Sequence, residues 1–139
     1  MNRKFKILKI SHIAIAVNNN NSALSLFNLL GMNASAAEFV ENEKVNVVKI
    51  KPENKDLSIE LLEPSDEFSA VRKFIDKKGE GLHHIALEVD NIVEAINYLI
   101  DNNIKLVYNS PKRGADNKLI TFISPKSTPG VLLELCQSP

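Results

Sequence analysis

The feature that most constrains this chain is a short pattern that occurs twice. Gly81 to Val89, GLHHIALEV, repeats Lys9 to Val17, KISHIAIAV. With His84 set on His12, Ile10 meets Leu82, Ile13 meets Ile85, Ala14 meets Ala86, Ile15 meets Leu87 and Val17 meets Val89. A second pair, SIEL at Ser58 to Leu61 and LLEL at Leu132 to Leu135, keeps the same order. The chain reads as one unit written twice, so both copies are expected to adopt the same local structure. Each copy offers one histidine near its start and one glutamate near its end.

Strand geometry gives the pattern its chemistry, because alternate residues of a strand point to opposite faces. His12 shares a face with Ala14 and Ala16, and His84 shares one with Ala86 and Glu88. Ile13, Ile15 and Val17, and in the other copy Ile85, Leu87 and Val89, take the opposite, oily face. By the same parity Glu60 lies opposite Ile59 and Leu61, and Glu134 opposite Leu133 and Leu135. Two histidines and two glutamates are therefore expected to converge between the copies.

At 139 residues and 44% hydrophobic content, the chain has enough apolar material for one compact domain or two closely joined halves. Lys plus Arg and Asp plus Glu both total 17, which implies no bulk attraction to nucleic acid or a membrane surface. The lone Cys136 excludes an intramolecular disulfide, and MNRKFKILKI lacks an apolar run long enough for a signal peptide or membrane span. A cytoplasmic location is the expectation.

The order of elements supports the repeat. Residues 6–17 read as a strand, Asn18 to Asn21 as capping chemistry, and Ala23, Leu24, Phe27 and Leu30 as a helical stripe ended by Gly31. Strands follow near 33–41, 45–51 and 57–63, and Pro64 closes the copy. Ser65 to Lys78 reads as a connecting helix with Phe68, Val71, Phe74 and Ile75 on one stripe. After GLHHIALEV, Asp90 is placed to cap a helix bearing Ile92, Ile96, Leu99 and Ile100. Strands near 104–109, 118–124 and 131–136 complete the order, with a turn at Gly114 to Asn117 and a rigid PKSTPG connection. The expectation is an α+β fold of two βαβββ modules in one domain, about 6–64 and 80–139, joined by a helix over about 65–79.

A lone buried histidine is usually a hydrogen-bonded core residue, and a lone strand glutamate usually faces water. The recurrence of both at equivalent positions favours a metal centre, since two imidazoles and two carboxylates form a coherent ligand set for a divalent ion. An octahedral ion held by His12, Glu60, His84 and Glu134 keeps two positions for a chelating ligand. Such an ion polarises a carbonyl as a Lewis acid and makes proton removal beside it feasible near neutral pH. His83 points to the other face and is read as packed or hydrogen-bonded. Cys136 is read as strand packing.

These residues resemble the methylmalonyl-CoA epimerase family of the vicinal-oxygen-chelate, or glyoxalase-like, superfamily. HIAIAV, IELLEP, KKGEGLHHIALEV and SPKSTPGVLLEL carry the likeness across nearly the whole chain. The resemblance implies curved mixed sheets around a divalent metal (cobalt, manganese, nickel, zinc or magnesium), commonly in a homodimer. Carried over by motif, the family's ligands fall on His12, Glu60, His84 and Glu134. The implied reaction interconverts (2R)- and (2S)-methylmalonyl-CoA through a metal-stabilised enolate, with Glu134 as one proton-transfer group. Val47 stands where some relatives carry a second glutamate, which leaves Glu43, Asn46, Lys49 or water for that role. Lys126 and Ser127 are candidates to hold the acyl-CoA substrate, and Lys112 and Arg113 to meet its phosphates. A glyoxalase I-like lactoylglutathione lyase and a noncatalytic small-molecule binding protein of the same fold are the competing readings.

Overall fold

Strand β1, Ile7–Ala16, leads into helix α1, Asn20–Leu29, and then into β2, Asn33–Ala34, β3, Glu38–Val40, β4, Val45–Lys51, and β5, Ser58–Pro64. The computed structural model describes residues 2–54 and 57–139. It divides into two units, one formed by His12–His83 and the other by the chain up to Ser11 with His84–Pro139. In the first unit β5 pairs in parallel with β1 and antiparallel with β4, and β4 also pairs with β2 and β3.

Asn19 starts α1, its side chain accepting a hydrogen bond from the Ser22 amide at 2.9 Å, so one otherwise unpaired donor of the first turn is satisfied. Gly31, at φ +76°, takes the left-handed conformation that ends the helix region. Ala23, Leu24 and Phe27 pack on Val17, Val48, Ile50 and Leu61, whereas Leu30 is exposed. The buried Asn20 pins α1 to the sheet: its amide donates to Glu63 at 2.8 Å and its side chain to the Asn46 carbonyl at 3.1 Å.

The strand expected over 33–41 is two short pieces. Between them the Ser35 amide donates to the Lys49 carbonyl and the Ser35 hydroxyl accepts from the Lys49 amide, so a side chain substitutes for part of the ladder. Helix α2 spans Ala70–Lys78 rather than beginning at Ser65, because Ser69 caps it by accepting from the Val71 amide. Phe68 therefore lies outside the helix and exposed, while Val71 and Ile75 are buried.

The second unit repeats the order with β6, Gly81–Val89, α3, Ile92–Asp101, β7, Lys112–Arg113, β8, Leu119–Ile123, and β9, Leu132–Gln137. Here β9 pairs in parallel with β6 and antiparallel with β8, which also pairs with β7. Phe5, Val89, Ile92, Ala95, Ile96, Leu106 and Leu135 form its core. The cap of α3 is Asn91, not Asp90; the Asp90 carboxylate instead accepts from the Lys6 amide. The strand expected over 104–109 is a single bridge from Leu106 to Ile123, with Leu106 buried and Val107 exposed. Asp116 and Asn117, both at positive φ, make the turn expected before β8, and Pro125–Ser127 forms a one-turn connection before β9. Among the described residues no helix is long and apolar enough to cross a membrane.

Candidate functional site

Strand register places the glutamates. The parallel pairing of β1 with β5 sets Ala14 opposite Glu60, and that of β6 with β9 sets Ala86 opposite Glu134. In both modules the glutamate thus lies across from the residue two places beyond the histidine. Since i and i+2 share a strand face, imidazole and carboxylate lie on the same side of each sheet. Both intervening alanines are fully buried, and their small side chains let the carboxylate reach the ring.

The resulting pairs are close and shielded from water. His12 Nδ1 lies 3.3 Å from Glu60 Oε2, and His84 Nε2 lies 3.0 Å from Glu134 Oε1. All four residues are buried. Burying ionisable groups is costly unless they are paired or hold a metal, and here each buried imidazole has a carboxylate beside it.

The pairs fit a divalent ion by chemistry and by spacing. Neutral imidazole and carboxylate together suit zinc, cobalt, nickel and manganese, with carboxylate extending the range to magnesium. Ligand atoms about 2.1 Å from an ion lie about 3.0 Å apart at right angles and about 3.4 Å apart in a tetrahedron. The observed separations of 3.0 Å and 3.3 Å fall in that range. Each pair can therefore supply two neighbouring ligand positions.

The antiparallel neighbours differ between the modules. Lys49 stands opposite Glu60, and Phe122 stands opposite Glu134. Lys49 Nζ is 3.9 Å from Glu60 Oε2 with its side chain 15% exposed. Phe122 packs edge-on against the His84 ring, with centroids 5.4 Å apart. Neither relation is stated by the internal repeat; the alternation of Val45, Val47 and Lys49 offers a signal only once the register with β5 is known.

The remaining candidates separate clearly. His83 packs its ring on Phe74 at 5.0 Å, as expected for a residue of the opposite face. Val47 is buried opposite Leu62, and Asn46 turns its carbonyl to Asn20. Glu43 lies in the turn before β4, where its carbonyl accepts from the Ser69 hydroxyl. Lys49 has a place on the Glu60 face and a side-chain contact to that carboxylate. Lys126 and Ser127 are exposed in the turn before β9, and Lys112 and Arg113 are exposed on β7. Cys136 packs with Ala86, Ile120 and Phe122, and burial, aided by the Glu134 charge, pushes its thiol up to about 11.

Residues 11–122 match the model of the Glyoxalase/Bleomycin resistance protein/Dioxygenase superfamily. Uncharacterized protein YqjC of Bacillus subtilis (strain 168) is 41% identical over 130 residues, covering 93% of this chain and 91% of its own. The mitochondrial methylmalonyl-CoA epimerase of Dictyostelium discoideum is 37% identical over 134 residues, 95% of this chain and 80% of its own. A variant of the Streptomyces coelicolor methylmalonyl-CoA epimerase, solved in complex with 2-nitronate-propionyl-CoA, has a TM-score of 0.90 at 31% identity, with 96% of each chain covered.

Proposed function

This chain belongs to the methylmalonyl-CoA epimerase family of the glyoxalase superfamily, a family of isomerases, and on that premise we propose that it interconverts (2R)- and (2S)-methylmalonyl-CoA. His12, Glu60, His84 and Glu134 jointly hold one divalent ion in this reading. The observation that carries it is the duplicated register, which puts a buried carboxylate beside a buried imidazole at equivalent positions of both modules. A structural hydrogen bond explains one such pair, but the same arrangement in both copies is what a shared ion requires.

When bound, the ion supplies Lewis acidity that polarises the thioester carbonyl and makes the C2 hydrogen acidic. Glu134 acts at that hydrogen. The C2–H bond breaks, its electron pair moves toward the carbonyl, and the proton passes to a Glu134 carboxylate oxygen. Inversion requires a proton to return to the opposite face of the flattened C2. Val47 supplies no carboxylate there, which leaves Glu43, Asn46, Lys49 or water to deliver that proton, and Glu134 then releases its own. Burial of both pairs limits competing contact with bulk solvent.

Lys126 and Ser127, exposed in the turn before β9, hold the acyl-CoA from the rim in this account. Ile7, Leu8 and Ile10 expose apolar surface along the start of β1 and support a homodimer. The single buried Cys136 suits a cytoplasmic setting.

The test is stereochemical. Metal-loaded protein given one C2 stereoisomer of methylmalonyl-CoA should produce the other, and should not turn over the hemithioacetal of glutathione and methylglyoxal. Turnover of the hemithioacetal with no change at methylmalonyl-CoA replaces this reading with the lyase.

A further inference from the structure

The two modules repeat their histidine, their glutamate and the register that joins them, but not the residue opposite the glutamate. In module two that residue is Phe122, whose ring edge packs on His84. In module one it is Lys49, whose ammonium lies 3.9 Å from Glu60. The neighbouring positions do not differ in this way: Val47 opposite Leu62 and Ile120 opposite Cys136 are both aliphatic and buried. One module therefore lines the glutamate with an apolar ring and the other with a cation.

Charge balance gives that cation a use. The acyl group of methylmalonyl-CoA brings a free carboxylate beside C2, and loss of the C2 proton places a second negative charge on the thioester oxygen. Glu60 adds a third, Glu134 having taken the proton, against two positive charges from the ion, so one negative charge remains in excess. Negative charge in excess inside a buried site is costly, and a fixed cation aimed at it is a principal way in which enzymes reduce that cost. At 3.9 Å the Lys49 contact with Glu60 is charge pairing beyond ordinary hydrogen-bond length, and the side chain is 85% buried by virtue of its 15% exposure.

We propose that Lys49 pairs with the free carboxylate of the substrate and so selects malonyl-type thioesters over those of monocarboxylic acids. The assignment rests on the epimerase reading for the identity of the substrate, while its geometric ground is the Lys49–Glu60 pair. Lys49 acts here as a specificity-determining residue: its charge, rather than any proton transfer, does the selecting. Arginine preserves the charge and methionine preserves much of the length without it.

The experiment compares the binding of methylmalonyl-CoA and propionyl-CoA, which differ by the carboxylate, to metal-loaded wild type, Lys49→Met and Lys49→Arg by calorimetry. The methionine variant should weaken methylmalonyl-CoA by about tenfold or more and leave propionyl-CoA within about twofold, as expected for one charge-assisted contact. The arginine variant should recover most of the discrimination, a rescue that a merely structural lysine does not predict. Equal weakening of both ligands, or of neither, in a folded and metal-loaded Lys49→Met protein overturns the assignment. Solvent-proton exchange at C2, measured separately on wild type, distinguishes the two proposals. Exchange without altered discrimination in Lys49→Met removes the Lys49 role alone, whereas altered discrimination without exchange supports that role and removes the epimerase.

Discussion

Replacing His84 by alanine should affect the protein in two separable ways, and replacing the adjacent His83 should reproduce neither in full. In metal-free protein, His84→Ala removes the group 3.0 Å from the buried Glu134 and the edge contact with Phe122. Loss of a partner from a buried polar group costs about 1–3 kcal/mol, and loss of an aromatic contact about 0.5–1.5 kcal/mol. A combined loss of about 3 kcal/mol lowers Tm by about 10 °C for a chain of this size. His83→Ala loses chiefly its packing on Phe74 and should fall by about a third as much.

The metal-dependent part is the sharper test. At an ion concentration one hundred times its Kd, wild type gains about 2.7 kcal/mol. If losing one ligand weakens binding about a hundredfold, His84→Ala at that same ion concentration gains only about 0.4 kcal/mol. His83→Ala keeps nearly the whole increment because its side chain occupies the other strand face. Differential scanning calorimetry of each variant, metal-free and with cobalt, measures both quantities. Equal cobalt-dependent increments in the two folded variants refute the strand-face assignment.

Glu134→Gln should lower C2 proton exchange by about a thousandfold, as loss of a general acid-base group does, measured by mass spectrometry in deuterated water. Cys136 should alkylate at pH 8.5 more than about a hundredfold more slowly in native than in unfolded protein. The sign follows from burial, which raises the thiol to about 11 and leaves little thiolate below that pH. Rapid native labelling contradicts this. Leu8→Glu should convert a dimer to monomer in sedimentation velocity, since Leu8 is exposed and apolar at the start of β1.

Much of the fold was legible because parity and repetition are local properties. The repeated His-x-Ala pattern predicted the leading strand of both modules, and the leucine-glutamate segments predicted β5 and β9. Errors arose where two local preferences competed. Ser65, Asp66 and Glu67 resemble the start of a helix, yet Ser69 makes the cap and places Phe68 outside. Asp90 and Asn91 are both good caps, and contact with the distant Lys6 backbone diverts the aspartate. Residues 104–109 have strand composition but form one bridge, with the buried Leu106 as their anchor.

Legibility in the candidate site was similarly divided. Alternation told which residues share a face within one strand, and so grouped each histidine with its alanines. The identity of the neighbour across an antiparallel pair depends on register, which is set by turns and packing over many residues. That is why the relations of Lys49 to Glu60 and Phe122 to His84 emerged only in three dimensions. The exposed turn that carries Lys126 and Ser127 was legible as a turn from PKSTPG, while charge and hydroxyl composition alone assigned it no orientation.

The most direct measurement of the central claim is proton exchange at C2 of methylmalonyl-CoA in deuterated water, with metal-free protein and with protein reloaded separately with cobalt, manganese, nickel or zinc. The account predicts no enzymatic exchange without metal. With at least one ion, C2 should gain deuterium and invert. Absence of exchange with every ion, in protein whose folding and metal loading have been verified, contradicts the claim that the two His–Glu pairs support metal-assisted epimerisation.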